Sequence, residues 1–512
     1  MHDLLGKGYF PRELPPPFQT QQFTDCVSSS VPRSFHTKNK SGKFAVHNLA
    51  RAGTLRRTLG IPNPIHQFRL ARAIAHKWKD IETCFDKVTL SLSRPVIDPS
   101  GIRAVERLVS LSERPEYRAK ARASSRYLLQ ADISRFYGSI YTHSIPWAAH
   151  TKAKAKADHS DKLFGNLIDR LVRNGQDNQT VGIPIGPDTS LIIAELILCA
   201  VDEALPKKLR GKAFRYVDDY EFAFHTQGEA EDTLGELQEK LTDFELALNP
   251  EKTGIVSLPQ PLEAHWAEEL RVIPIRKSKQ ATDLIRYFDL IFDFVRTFPN
   301  EHVVHYALQR VRFLDLKEKI WPLFEDLLIQ AIMIQPGAIR YAIPILGAHQ
   351  QCGYKVHKQK LAKMIHAMID IHARQGHGSE VAWSLWAAIL FDVKVNKGTA
   401  KKLSRMDDCV IALLALDAQR RGLIDSNIGF SMWRDCMTTD HLYERQWLLA
   451  YEANVKGWLP TVGGGDHVAL DDNFNHLKTN NVSFYDLNVV AELRKKKSKP
   501  EVSIQTAGYI GY

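Results

Sequence analysis

The chain has 512 residues, a formal charge of +10, 44% hydrophobic and 25% charged residues, the balance of an ordinary globular protein long enough for two or three cores. Its apolar stretches are too short or too interrupted to span a bilayer, and Met1 to Tyr9 lacks the basic region and apolar run of a secretion signal. No membrane partner and a cytoplasmic location are therefore expected, while the excess of positive charge suits a polyanionic partner. The six cysteines lie far apart, without paired metal-ligand spacing, and read as reduced thiols.

From Met1 to about Phe35 the chain is rich in Pro, Thr and Ser, and Phe10 to Pro17 is too proline-dense for a helix, so the segment reads as an extended arm. After the turn signal Ile61-Pro62-Asn63-Pro64, Gln67 to Ile74 has helical periodicity. Tyr127-Leu128-Leu129-Gln130-Ala131-Asp132 has the pattern of a buried strand ending on a carboxylate, just before Ile133-Ser134-Arg135-Phe136-Tyr137 turns into the next element. Judged alone, Asp132 could equally cap a helix.

Gly182-Ile183-Pro184-Ile185-Gly186-Pro187-Asp188-Thr189-Ser190 reads as a glycine turn entering the apolar helical run Leu191 to Leu198. Glycines there permit close backbone approach to a base pair or phosphate; an ordinary loop and cap is the alternative. Phe214 to Phe224 consists of two β-prone runs flanking Asp218-Asp219 and predicts a hairpin with carboxylates at its tip. Leu248-Asn249-Pro250-Glu251-Lys252-Thr253 ends a helical segment with a turn, placing Lys252 either to protonate a pyrophosphate or only to solvate a loop.

Beyond about Pro274 strand signals fade, and amphipathic helical windows such as Asp283 to Phe292 and Lys360 to Met368 follow one another as paired, HEAT-like helices. Gly463-Gly464-Gly465 has neither a preceding strand nor a following Lys-Ser or Lys-Thr, and reads as a flexible connection. His357, His366, His372 and His377 do not place three rings on one helical face and read as surface or core histidines. The runs Lys152 to Lys156 and Arg494 to Lys497 either contact nucleic-acid phosphates or are solvated surface.

Adjacent aspartates at a hairpin tip are often only turn residues. Here both flanking strands are apolar enough to be buried, and carboxylates facing each other in a core repel unless a cation sits between them. Phosphoryl transfer between a 3′ hydroxyl and a nucleoside triphosphate uses two divalent ions, roughly 3.5–4 Å apart, bridged by carboxylates from separate strands. Asp132 and Asp218 meet that requirement, with two Mg²⁺ ions as the default for oxygen ligands and phosphates and Mn²⁺ as the second candidate.

In this order the segments resemble the reverse-transcriptase palm: motif A is Asp132 to Tyr137, motif B Gly182 to Ser190, motif C Tyr216 to Asp219, and motif D contains Lys252. The resemblance implies that Asp132 and Asp218 bind two metal ions supported by Asp219, that Lys252 assists catalysis, and that Gly186 approaches the nucleotide. It also implies that Tyr137, five residues after Asp132, is the aromatic gate that excludes a ribose 2′ hydroxyl. Arg56 to Gln67 looks like the fingers of that fold, and Tyr117 to Arg122 like its triphosphate-contacting part, with Lys120 and Arg122 as candidates.

A closer resemblance is to the abortive-infection reverse transcriptases of bacteria, carried by Lys7 to Pro16, Ile61 to Pro64, and Asp132 to Tyr137 through Ser144-Ile145-Pro146-Trp147. It implies an α+β fingers and palm followed by an all-α helical-repeat (HEAT-like) domain. The corresponding divisions are arm and fingers over residues 1–125, palm over 126–265 and helical repeats over 266–512. It further implies homo-oligomers, deoxynucleoside triphosphates as substrates, untemplated single-stranded DNA attached covalently to the protein, and a role in phage defence. Ile185 stands where templated relatives commonly carry Gln, and Tyr9 on the arm is the candidate priming hydroxyl. An RNA-templated reverse transcriptase and a non-catalytic palm that only binds nucleic acid stay open as alternatives.

Overall fold

A computed structural model describes residues 1–502 except 30, 38–39, 54, 99–100 and 210. The chain forms two compact units. One takes in Met1–Tyr9, Ser30–Phe44 and Ile61–Glu263; the other takes in Phe10–Ser29, Ala45–Gly60 and Ala264–Tyr512. The strands are β1 (Ala45–Ala50), β2 (Arg56–Ile61), β3 (Pro95–Val96), β4 (Glu106–Arg107), β5 (Tyr127–Asp132), β6 (Ala213–Tyr216), β7 (Asp219–Phe224) and β8 (Gly254–Ser257).

In the first unit β6, β7, β5 and β8 form, in that order, an antiparallel sheet. Its centre is β5, whose Leu128, Leu129 and Ala131 are buried. Alternation gives the sheet two distinct faces. Tyr220, Phe222 and Phe224 stack along one face of β7, with ring centroids 5.7 and 6.4 Å apart. That face meets the helix Asp188–Ala204, since the Tyr220 hydroxyl donates to Asp202. The intervening Asp219 and Glu221 point the other way, toward the helix Arg114–Arg122. On β6, Phe214 and Tyr216 share this second face and pack with Leu92 and Val109.

The helix Gln227–Thr242 lies on β5, β7 and β8. Thr226 begins it with a reciprocal capping box, its hydroxyl accepting from Glu229 N while the Glu229 carboxylate accepts from Thr226 N. The Ile61 to Pro64 turn starts a helix, Pro64–His76, as its composition predicts. Asn63 caps it by accepting from Ile65 N, and Pro64 occupies the first turn, where its missing N–H costs nothing.

The second unit is mainly helical from His265–Val272 onward. Helices pack on the neighbour two places along the chain: Gln280–Thr297 on Trp321–Ile334, Val303–Val311 on Ile339–Gln351, and Cys409–Arg420 on Trp447–Val455. Its most enclosed element is Gly378–Phe391, every residue of which is buried. Such a helix is apolar on all sides and needs neighbours on all sides. Ile339–Gln351, Lys358–His372 and Cys409–Arg420 supply some, and strand β1 supplies another. Among the described residues no strand element follows His265, and the β1–β2 pair, from earlier in the chain, belongs to the same compact unit.

The N-terminal arm is corrected. Residues His2–Gly6 and Gln21–Ser29 are helical, and aromatic rings between them anchor the chain. Phe10 stacks on Phe484 at 5.8 Å, Phe18 meets Tyr485 edge-on at 5.2 Å and Phe23 contacts Phe484 at 5.5 Å. The Pro and Ser content that reads as an unpaired arm conceals these large apolar side chains, whose burial outweighs the lack of regular structure around them. All six cysteines are free thiols. Among the described residues no helix is long and apolar enough to cross a membrane.

Thr226→Ala removes one half of the capping box. It is expected to lower stability by about 1 kcal/mol, read as a shift of the urea unfolding midpoint, whereas an unchanged midpoint would show that the helix start is held by packing alone.

Candidate active site

The site forms where β5 ends against the turn between β6 and β7. Asp132 closes β5 and sits directly opposite Asp219 across the antiparallel ladder. Asp219 in turn pairs with Tyr216 across the hairpin, leaving Val217 and Asp218 as the two turn residues. The Ile133 N–H donates to the Asp218 carbonyl at 3.3 Å, tying the turn to the end of β5. The three acids, read from two separate segments, are thus brought to one end of one sheet.

The turn is strained. Val217 has φ +58°, a left-handed conformation that costs a β-branched residue about 1–3 kcal/mol. Two hydrogen bonds hold it there: Val217 N–H donates to Ser93 Oγ at 2.7 Å, and Arg215 Nη1 donates to the Val217 carbonyl at 2.9 Å. The Arg215 guanidinium is fully buried between Glu195, at 2.9 and 3.1 Å, and Asp202, at 2.9 Å from Nε.

Burial alone would raise the Glu195 carboxyl, but the Arg215 charge holds it below its usual range. Burial dominates at Asp202 and raises its carboxyl, against the pull of Arg215. Removing one member of such a buried set strands the others, at a cost of about 3–5 kcal/mol. Ser93, Glu195, Asp202 and Arg215 were not singled out from sequence. A signal existed: an arginine alternating with buried aromatics on a strand, and two acids seven residues apart flanking the apolar run Leu196 to Val201.

On the carboxylate face, Asp132 Oδ2 receives Lys252 Nζ at 2.9 Å and Oδ1 receives Asn249 Nδ2 at 3.2 Å. The Asn249 N–H also donates to the Asp132 carbonyl at 2.7 Å. Lys252, expected either to protonate a pyrophosphate or to solvate a loop, meets Asp132, and Asn249 is an addition that sequence reading missed. Asp219 has Arg114 Nη1 at 3.5 Å. Its carboxyl is pushed up to about 6, first by burial and further by Asp218 and Asp132, against the opposing pull of Arg114 and Lys252. Oxygen donors from two strands, one of them reluctant to ionise first because of burial and further because of its like-charged neighbours, suit a hard divalent cation, which would stabilise the ionised carboxylates.

The glycine turn lies beside the segment that follows Asp132. Gly182 N–H donates to Ile140 O at 2.8 Å, and Ile183 N–H donates to Tyr137 O at 2.9 Å. Gly182 has φ +83°, and a Cβ there would lie 3.2 Å from the Gly138 carbonyl, so the approach requires glycine. Half-buried Tyr137, its ring edge-on to Phe136 at 5.3 Å, thus borders the loop that carries Gly186. Arg103 pins that loop, donating to Gly186 O at 3.1 Å and from Nε to Asp188 at 3.0 Å. Neither Arg103 nor this role of Asp188 was anticipated.

The other predicted contacts are placed differently. Arg114, Arg118 and Arg122, spaced one turn apart on one helix, converge on Glu221 at 3.1, 2.6 and 2.8 Å. Burial alone would raise the Glu221 carboxyl, but these guanidinium groups hold it low. Arg122 is thus occupied by Glu221 and the carbonyls of Gln260 and Pro261, while Lys120 is exposed. Tyr9 is fully buried, its hydroxyl donating to Pro62 O at 2.6 Å, in place of the accessible position expected on an arm. A hydroxyl so enclosed meets a nucleotide only if its segment opens.

Residues 61–281 match the family model described as reverse transcriptase (RNA-dependent DNA polymerase). The matched part of the chain contains the three acids, Tyr137, Gly186 and Lys252, and its similarity to the reverse transcriptase domain indicates a nucleotidyltransferase-type polymerase. Among solved structures the chain is similar to apo telomerase from Candida tropicalis, at 10% identity over 78% of this chain and 74% of that one, with a TM-score of 0.33. It is also similar to telomerase from the same organism in complex with a TWJ fragment of telomeric RNA, at 12% identity over 77% and 68%, with a TM-score of 0.28. No curated protein matches the chain.

The Asp219 carboxyl gives the site a pH signature. Its folded value of about 6 lies above the ordinary 3.8, so the folded state binds this proton more tightly than the unfolded one. The favourable contribution is present below about pH 4, declines as pH rises through 6, and is absent above. Asp219→Asn, without divalent ions, is expected to be more stable than the parent by about 1–2 kcal/mol near pH 7.5, a figure discounted for a carboxyl still partly exposed. The difference should vanish near pH 4. Urea unfolding at the two pH values checks this, and equal stability near pH 7.5 would remove the proposed repulsion.

Proposed function

We propose that this protein is a DNA polymerase of reverse-transcriptase type, in which Asp132, Asp218 and Asp219 hold two Mg²⁺ ions, with Mn²⁺ as the substitute. The observation that carries this reading is the register of Asp132 opposite Asp219, with Asp218 in the adjoining turn and Lys252 on Asp132. The divalent ions supply charge neutralisation at the triphosphate and activation of the attacking 3′ hydroxyl.

The side chains have separable roles. Asp132 is oriented through both oxygens, by Lys252 and Asn249, before any substrate arrives. Lys252 keeps about half of its side chain exposed, so its ammonium can turn from Asp132 to give a proton to departing pyrophosphate. Tyr137, beside the Gly186 loop, presents a ring beneath the incoming sugar and excludes a 2′ hydroxyl. Gly186 leaves room for the nucleotide, and exposed Lys120 meets its phosphates, with Arg122 joining if it exchanges Glu221 for that anion.

The finer reading rests on the likeness to abortive-infection reverse transcriptases. In it, synthesis is untemplated and primed on the protein, the product is single-stranded DNA attached to the chain, and homo-oligomers with HEAT-like repeats act in the cytoplasm against phage. Ile185 in the glycine loop supports it, because an apolar side chain there offers no hydrogen bond to a template base. Tyr9 remains the priming candidate on condition that residues 1–9 open, and copying of a specific RNA is the competing use of the same site.

Incubation with Mg²⁺ and labelled deoxynucleotides, with no nucleic acid added, separates these uses: label retained on the protein band supports protein priming, and label that requires added RNA supports templated copying. Asp218→Asn is expected to lower incorporation by at least about 100-fold while leaving the circular-dichroism spectrum unchanged, and parental rates would overturn the metal-ligand assignment. Tyr137→Ala should admit ribonucleotides, so unchanged discrimination would remove the gate.

A further inference from the structure

We propose that His372, His377 and Glu380 form a site for a divalent transition metal of the zinc class, separate from the aspartates of the polymerase site. Sequence spacing argued against such a site, because no helical face carries three of the neighbouring histidines. The fold brings the residues together across a turn instead. His372 ends the helix Lys358–His372, and His377 immediately precedes Gly378–Phe391, whose first turn contains Glu380. The His377 N–H donates back to the His372 carbonyl at 3.0 Å, and Gly376 at φ +67° lets the chain reverse between them.

Three potential ligand atoms then converge, all within 4.8 Å of one another. The two Nδ1 atoms are 2.9 Å apart, and each faces Glu380 Oε1, at 3.8 and 3.7 Å. Tetrahedral zinc with bonds of roughly 2.0–2.1 Å separates its ligand atoms by about 3.3 Å. Shifts of about half an ångström therefore convert this cluster into three corners of a tetrahedron, with the fourth left to water. Facing Nδ1 atoms can share one proton or one cation.

The hydrogen bonding of Glu380 leaves the appropriate lone pair. Its Oε2 accepts from Arg56 Nη2 and Ser379 Oγ, whereas Oε1 accepts from Arg56 Nη1 and turns its remaining capacity toward the imidazoles. Arg56 thus acts as the outer partner that orients a ligating carboxylate. Glu380 and His372 are buried, while His377 keeps 24% of its side chain exposed, which provides a route of entry. Two imidazoles and a carboxylate favour Zn²⁺ over Mg²⁺.

Chelator-treated full-length protein titrated with Zn²⁺ against a chromophoric zinc chelator tests the proposal. The expected result is one tight Zn²⁺ per chain, retained by Asp132→Asn and weakened on the order of 100-fold or more by His372→Ala and by His377→Ala. The zinc X-ray absorption spectrum should show two imidazole ligands. Zinc binding that survives the double substitution, or no tight binding by the parent, would overturn the assignment. Should buried His372→Ala fail to fold, partly exposed His377→Ala decides alone, with its metal-free unfolding midpoint compared with that of the parent.

Discussion

The polymerase site depends on one buried cation. Arg215 enters the core with Glu195 and Asp202 around it and directs one N–H to the carbonyl of Val217. Without that bond and the one from Val217 N–H to Ser93 Oγ, the left-handed valine has nothing to offset its strain. The hairpin would then be free to choose another turn. A change of one residue in register would send Asp219 to the opposite face of the sheet and end its alignment with Asp132. An expensive ion set in the core thereby specifies the position of the carboxylates at the end of the sheet.

The two faces of the sheet divide the work. One face holds aromatic rings and the satisfied ion set against the helix Asp188–Ala204; the other holds acids opposed by the arginines of Arg114–Arg122. Three guanidinium groups on Glu221 leave positive charge beside Asp219, the sign of field that attracts a polyanion. The same helix Asp188–Ala204 follows the glycine loop, so the acids that hold Arg215 and the loop that carries Gly186 are joined to one rigid element.

The second unit uses related devices for a different end. Glu380 is buried on an apolar helix and is satisfied by Arg56 from β2, much as Arg215 is satisfied by acids from its neighbouring helix. In both cases a charge at the start of an element or within a strand meets a partner distant in sequence. The strand pair β1–β2 is drawn into a mainly helical unit by such contacts and by the apolar surface of Gly378–Phe391.

Much of the structure at this end of the sheet was legible from residue types and order. The strand ending on Asp132, the hairpin around Asp218 and Asp219, the glycine turn before a helix and the lysine after the next helix all follow from local pattern, because period-2 burial and turn chemistry are properties of a few adjacent residues. The enclosure of Tyr9, the occupation of Arg122 by Glu221, and the roles of Ser93, Arg103 and Arg215 depend on tertiary structure. Those contacts link residues whose sequence separation bears no relation to their distance, and the cost of burying each polar group can be met only by a partner that the fold, not the neighbouring sequence, delivers.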